Sequence, residues 1–226
     1  MVLLVRHGQA SFGADDYDVL SSAGRGQAET LGRYLSSSAA PVKVISGSLR
    51  RQTGTAEAMI ATAGWGLPVD IDERWDEFDH LRVLDIYTAT ATDPGPINAR
   101  SLDRRAFQAL FEKATGRWAS ANHDQEYPET FTEFTRRIRG ALAEACREAG
   151  KGSSVVVVSS GGVIAAAAAM LVDVHAESHD LADAWQRFNT VMVNSSVTRV
   201  VVGSTGARLL SFNEHTHLAP GEATYR

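Results

Sequence analysis

Cysteine is almost missing from this chain: Cys146 is the only one among 226 residues. No intrachain disulfide can form, which fits a reducing compartment, and the cytoplasm is the expected location. Cys146 shares helical spacing with Ala143 and Ala149, where a small packing residue is expected rather than a nucleophile. Long hydrophobic runs are also lacking. Arg6 and His7 interrupt the N-terminal apolar stretch after five residues, too soon for a signal peptide, and Ala165–Val172 is too short to span a bilayer. There is no excess of positive charge either. The 22 basic residues stand against 27 acidic ones, a net charge of −5 that disfavours nucleic acid and acidic membranes as partners. His215 and His217 lie two apart with no cysteine nearby, so no metal and no cofactor are expected.

What remains is an ordinary globular composition, 44% hydrophobic and 22% charged. The length suits a single domain over residues 1–226 with a modest insertion. Met1–Val5 is a continuous apolar run rich in branched residues, the pattern of a buried strand, and it delivers Arg6-His7-Gly8-Gln9 at its C-terminal end. A helix is expected from about Gly24 to Leu35, a strand at Val42–Ile45, and a helix from about Leu49 to Ala63. A third strand follows at Val155–Val158, closed by Ser159-Ser160-Gly161-Gly162 and an alanine-rich helix. A strand pair, Val191–Val202 and Ala207–Phe212, surrounds Gly203–Gly206. Strands alternating with helices give an α/β class: a mostly parallel sheet with helices on both faces. From about 75 to 128 the pattern changes. Asp93-Pro94-Gly95-Pro96 marks a loop and Leu102–Trp118 reads as helix, together a partly helical insertion over the C-terminal end of the sheet. Ligands of such sheets gather at that end, where His7 and Ser160 fall.

Several blocks resemble the histidine phosphatase (phosphoglycerate-mutase-like) superfamily. Leu3–Gln9, LLVRHGQ, is similar to its signature, and Leu20-Ser21 with Gly24, Gln27-Ala28, Leu31 and Leu35 resembles its second block. Ile45–Ala58 resembles the block S-x-L-x-R-A-x-Q-T-A-E, which puts the family arginine at Arg51, beside Arg50. Asp72–Asp79 resembles the segment bearing the family's acid, at Glu77, with Glu73 and Asp76 as neighbouring alternatives. Glu129-Thr130 with Arg137, and Asn194 with Thr198, resemble the remaining blocks, in family order along nearly the whole chain.

The resemblance implies an enzyme that hydrolyses a small phosphate monoester. His7 would attack phosphorus to give a phosphohistidine, and Glu77 would protonate the leaving oxygen and then take a proton from water. Arg6 and Arg51 would hold the phosphate, since a planar guanidinium can donate two hydrogen bonds to its oxygens. Gly161, Ser160 and Gln9 complete the expected phosphate-binding set, with Gln9 alternatively tying down its own loop. Glu129 reads either as part of the site or as a helix N-terminal charge.

Two departures stand out. Where the family reads V-S-H-G-G, this chain reads Val158-Ser159-Ser160-Gly161-Gly162, so Ser160 takes the place of the second histidine. A serine cannot carry positive charge, and losing one such donor costs roughly a hundredfold in rate. A weakened site is therefore expected, with His80, His175, His179, His215 and His217 as histidines that compensate if they fold in. Gly13 stands where many relatives carry asparagine, with Ser11 as a substitute. Two other readings stay open: a phosphoglycerate mutase, and a catalytically inactive phospho-ligand binding or regulatory protein.

Overall fold

A computed structural model describes residues 1–11, 18–90, 103–150 and 152–225, without the side chains of Arg104 and His179. Gly13, the Asp93–Pro96 loop and the His179 side chain therefore lie outside the described residues. β1 (Val2–Arg6) has four buried residues in a row because both of its faces are covered. It pairs parallel with β4 (Ser154–Ser159), which pairs parallel with β2 (Pro41–Ser46), and β2 with β3 (Val69–Ile71). On the other side of β1 run β5 (Val197–Gly203) and β6 (Gly206–Glu214), each antiparallel to its inner neighbour. The six-stranded order is β3-β2-β4-β1-β5-β6, mostly parallel as expected.

Alternation along β1 and β4 divides the apolar residues between two cores. Leu3, Val5, Val156 and Val158 pack with Leu31 and Leu35 of α1 (Ser22–Ser36) and Met59 of α2 (Arg50–Ala63). Val2, Leu4, Val155 and Val157 face Phe134, Ile138 and Ala141 of α5 (Phe131–Glu148) and Ile164 of α6 (Gly161–Val172). That second core continues through α3 (His80–Thr90), α4 (Arg104–Ala119) and α7 (Ala182–Thr190). An aromatic cluster sits inside it: Phe78 stacks on Trp118 at 4.6 Å and meets Trp185 edge-on at 5.8 Å.

Local signals set the helix starts. Ser21 accepts from the Gly24 N–H at the head of α1, Asp103 accepts from Ala106 N–H at α4, and Thr130 with Glu133 forms a capping box at α5. The strand expected from Val191 begins only at Val197. Asn194 and Ser195 are instead committed to the end of β1: Asn194 Nδ2 donates to His7 O at 3.1 Å, and Ser195, at φ 57°, donates its N–H to Arg6 O at 3.1 Å.

Candidate active site

The register Arg6↔Ser159 places His7 and Ser160 side by side where β1 and β4 end. The chain can turn into α1 there because Gly8 and Gly24 touch backbone to backbone; a Cβ on Gly8 would lie 2.3 Å from Gly24 O. A cavity of about 820 Å³ opens over this end of the sheet, and Arg6, His7, Arg51, Glu77, His80 and Gly161 contribute to its floor and walls.

His7 is held in one tautomer. Its Nδ1 lies 2.7 Å from Gly8 O, a pure acceptor, so Nδ1 carries the proton. Its Nε2 accepts from Arg51 Nε–H at 3.2 Å and therefore presents a lone pair. Burial, and then the charges of Arg51 and Arg6, hold the imidazole well below its ordinary value of 6.5 and so keep it neutral, against a smaller opposing effect of the Gly8 bond. Arg51 is fixed in turn. Its Nη1 meets Asp18 Oδ1 at 2.5 Å, and the other oxygen of Asp18 accepts from Arg50 N–H at 2.9 Å, so one carboxylate orients the guanidinium and caps α2. Arg6 donates through Nη1 to Met192 O and through Nη2 to Tyr225 O at 3.3 Å, two bonds that aim it along the cavity wall.

Glu77 lines the cavity from the loop between Trp75 and α3. Its Oε2 accepts from Gly162 N–H at 2.9 Å and its Oε1 from Phe78 N–H at 3.3 Å. Burial pushes its carboxyl above the ordinary glutamate value, outweighing these bonds and the nearby Arg51 charge. Of the three acids considered for this segment, Glu77 alone faces the cavity. Asp76 accepts from the Ser48 N–H and hydroxyl, each at 2.6 Å, and Glu73 is exposed. Glu129 lies outside the cavity lining. It pairs with Arg137 Nε at 2.6 Å, and Arg137 Nη1 donates to Arg74 O and Asp76 O, which anchors the loop that carries Glu77.

Two residues expected to bind phosphate do not line the cavity. Gln9 is not part of the cavity lining: its Oε1 accepts from Ser21 hydroxyl at 2.9 Å and its N–H is held by Gln27, so it ties down its own loop. Ser160, 1% exposed, also stays out of the lining, and its Oγ accepts from Gln52 Nε2 at 2.8 Å. Among the described side chains of the histidines weighed as substitutes, His80 alone lines the cavity. His175 is exposed, His215 sits against Asn213 O, and His217 stacks on Tyr34. Burial, and then the Arg51 charge, lower His80 below its ordinary value, which favours the neutral imidazole.

The opposite wall went unrecognised in the sequence. Arg105, Gln108, Phe111, Glu112 and Thr115 face the cavity from α4, at helical spacing, together with Gln186 and Asn189 of α7. Gln108 Nε2 donates to Glu112 Oε1 at 3.0 Å and Gln186 Nε2 to Glu112 O at 3.4 Å, a linked polar surface beside Phe107 and Phe111. The spacing was visible, but it reads equally as a solvated helix face. Among the described residues no His/Cys/Asp/Glu cluster is suited to a metal, and no helix is long and apolar enough to cross a membrane.

Residues 2–215 match the family model of the histidine phosphatase superfamily (branch 1). Solved structures align over nearly the full length. A phosphoglycerate mutase from Bacillus anthracis str. Sterne is 18% identical with a TM-score of 0.65, over 96% of this chain and 93% of its own. A mycobacterial glucosyl-3-phosphoglycerate phosphatase in complex with VO3 is 24% identical with a TM-score of 0.66, over 95% and 99%. A phosphoserine phosphatase mutant from Entamoeba histolytica, in complex with phosphoserine, is 17% identical with a TM-score of 0.64, over 96% and 98%. At these identities the likeness establishes the fold. Comparison with curated protein sequences finds no match.

Proposed function

The chain belongs to the histidine phosphatase superfamily (branch 1), and on that premise we propose that it is a cytoplasmic phosphatase hydrolysing a small phosphate monoester through a phosphohistidine at His7. The observation that carries this reading is the state of His7: neutral, with Nδ1–H tied to Gly8 O and the Nε2 lone pair 3.2 Å from the Arg51 guanidinium. An arriving phosphate would take over the Arg51 Nε–H bond, which frees Nε2 to attack phosphorus in line. As the N–P bond forms, the P–O bond to the leaving group breaks, and protonated Glu77 supplies that oxygen's proton. The resulting Glu77 carboxylate then accepts a proton from water, whose oxygen attacks phosphorus, releases inorganic phosphate and restores the Nε2 lone pair. A carboxyl held above its ordinary range suits both steps.

Arg6 and Arg51 supply positive charge at His7, with Gly161 at the head of α6 on the border of the site. We assign His80 as an additional neutral donor and the α4–α7 wall as the surface that meets the leaving group. Ser160 supplies no charge and does not line the cavity, so turnover is expected to be modest. That same placement is what favours the other reading, a phospho-ligand binding protein. Phosphate release from a panel of alkyl and aryl phosphates by the wild-type protein and His7→Ala tests the proposal. Release that requires His7 supports it, whereas phosphate binding with no turnover favours the binding protein. Interconversion of 2- and 3-phosphoglycerate in place of release would make the chain a mutase.

A further inference from the structure

His7 and Ser160 emerge from neighbouring parallel strands, yet the side chain that fills the space around Ser160 comes from α2. Gln52 is 0% exposed, and its Nε2 donates to Ser160 Oγ at 2.8 Å and to Trp75 O at 3.1 Å. The amide has one chemically sensible orientation: Trp75 O only accepts, so the atom facing it is the NH2 group. This leaves Gln52 Oε1 buried without a hydrogen-bond partner among the described residues. The same oxygen is pressed against Gly47, where a Cβ would lie 2.0 Å from it. An unsatisfied buried carbonyl is unfavourable, so the amide is retained by what its NH2 group joins.

What it joins is the site. Gln52 follows Arg51 in α2. Trp75 O, which also accepts from Ser159 Oγ at 2.6 Å, ends the short turn that leads into Glu77. Ser160 precedes Gly161 and Gly162, and the Gly162 N–H holds Glu77. We propose that Gln52 is a positioning residue that sets Arg51, Glu77 and the head of α6 in mutual register, and that Gln52 and Ser160 are a size-matched pair. The amide occupies the volume a longer side chain at position 160 requires, so Ser160→His introduces a clash unless Gln52 is shortened at the same time.

A four-protein cycle tests this: wild type, Gln52→Ala, Ser160→His and Gln52→Ala/Ser160→His, each followed by kcat, KM, pH profile and Tm. Its activity readings rest on the phosphatase proposal, while its Tm readings do not. Ser160→His alone should lower Tm and leave kcat/KM at or below wild type. Gln52→Ala should lower kcat by about tenfold with KM little changed, and move the Glu77-dependent alkaline limb, because the acid loses its register. The double variant should regain the Tm lost in Ser160→His and surpass Gln52→Ala in kcat, a non-additive pattern expected of residues in contact. Ser160→His that gains activity with Tm intact, or Tm changes that simply add, would overturn the pairing. A Gln52→Ala protein with unchanged kcat and pH profile would overturn the positioning role. Should wild type and His7→Ala prove equally inactive, the phosphatase reading fails, and the Tm cycle still decides the pairing.

Discussion

The Gly162 N–H donates to Glu77 Oε2 at 2.9 Å, while a Cβ on Gly162 would lie 2.4 Å from the other carboxylate oxygen. The acid is thus seated against the head of α6 in a space only glycine leaves open. Gly162→Ala should displace it and lower kcat for alkyl phosphates by about a hundredfold, the lower end of what a general acid contributes. Aryl phosphates, whose leaving groups need less protonation, should lose less in steady-state assays. Glu77→Gln should show the same selectivity, and equal loss on both substrate classes would give Glu77 a structural role instead.

The pH profile follows from the two perturbed groups. His7 is lowered, so its neutral form should persist below the ordinary 6.5 and the acid limb of kcat/KM should lie under that value. Glu77 is raised above its ordinary 4.5, so activity should decline as pH rises through its folded value and the acid deprotonates. Glu77→Gln should remove that alkaline limb. For stability, the unfolded His7 binds a proton more readily than the folded one. Folding should therefore weaken as pH falls through 6.5 towards the folded value, and His7→Ala should flatten this part of the Tm-versus-pH curve.

Asp18 holds Arg51 and the first N–H of α2, so a phosphate bound as proposed would have to compete with it for the guanidinium. Asp18→Asn keeps a side-chain oxygen for the cap and removes the charge, so inhibition by inorganic phosphate should tighten with Tm nearly unchanged. Asp18→Ala should additionally cost about 1 kcal/mol, the scale of an anionic acceptor at a helix N-terminus, about 2–4 °C in Tm for a chain of this size. Calorimetry and phosphate inhibition constants read the two effects separately.

The polar wall of α4 and α7 should govern the leaving group alone. Gln186→Ala and Glu112→Gln are expected to change KM among substrates severalfold while leaving the inhibition constant of inorganic phosphate unaltered. His80→Ala, next to Arg51 in its electrostatic influence, should instead weaken inorganic phosphate as well.

The residues whose place at the cavity was legible in the sequence were those set by an element's end. The apolar run before Arg6-His7 fixes where β1 stops, the valine run does the same for β4, and Leu49 with Thr55–Glu57 sets the turn of α2 that carries Arg51. That Glu77 rather than Asp76 or Glu73 faces the cavity is decided by tertiary contacts that its segment alone does not reveal. Gln9 takes the second of its two readings, tying down its loop, and Ser160 stays out of the cavity lining, for one physical reason: position at a strand end fixes the backbone, while the side chain's direction depends on partners distant in sequence, Ser21 in one case and Gln52 in the other. Gln52 itself gave no signal, because a glutamine near a helix start is ordinarily solvated. Tyr225 lines the cavity where Arg6 bonds its carbonyl and Gln27 and Asn194 bond Thr224, contacts between residues far apart in sequence.

Rapid quenching into alkaline denaturant during turnover of a labelled phosphate ester tests covalent chemistry at His7 most directly. The expected result is a transient, acid-labile phosphoryl group that maps to the peptide containing His7, is absent from His7→Ala, and decays at the rate of phosphate release. Undiminished phosphate release by His7→Ala, or a phosphoryl group mapped to another residue, would contradict it.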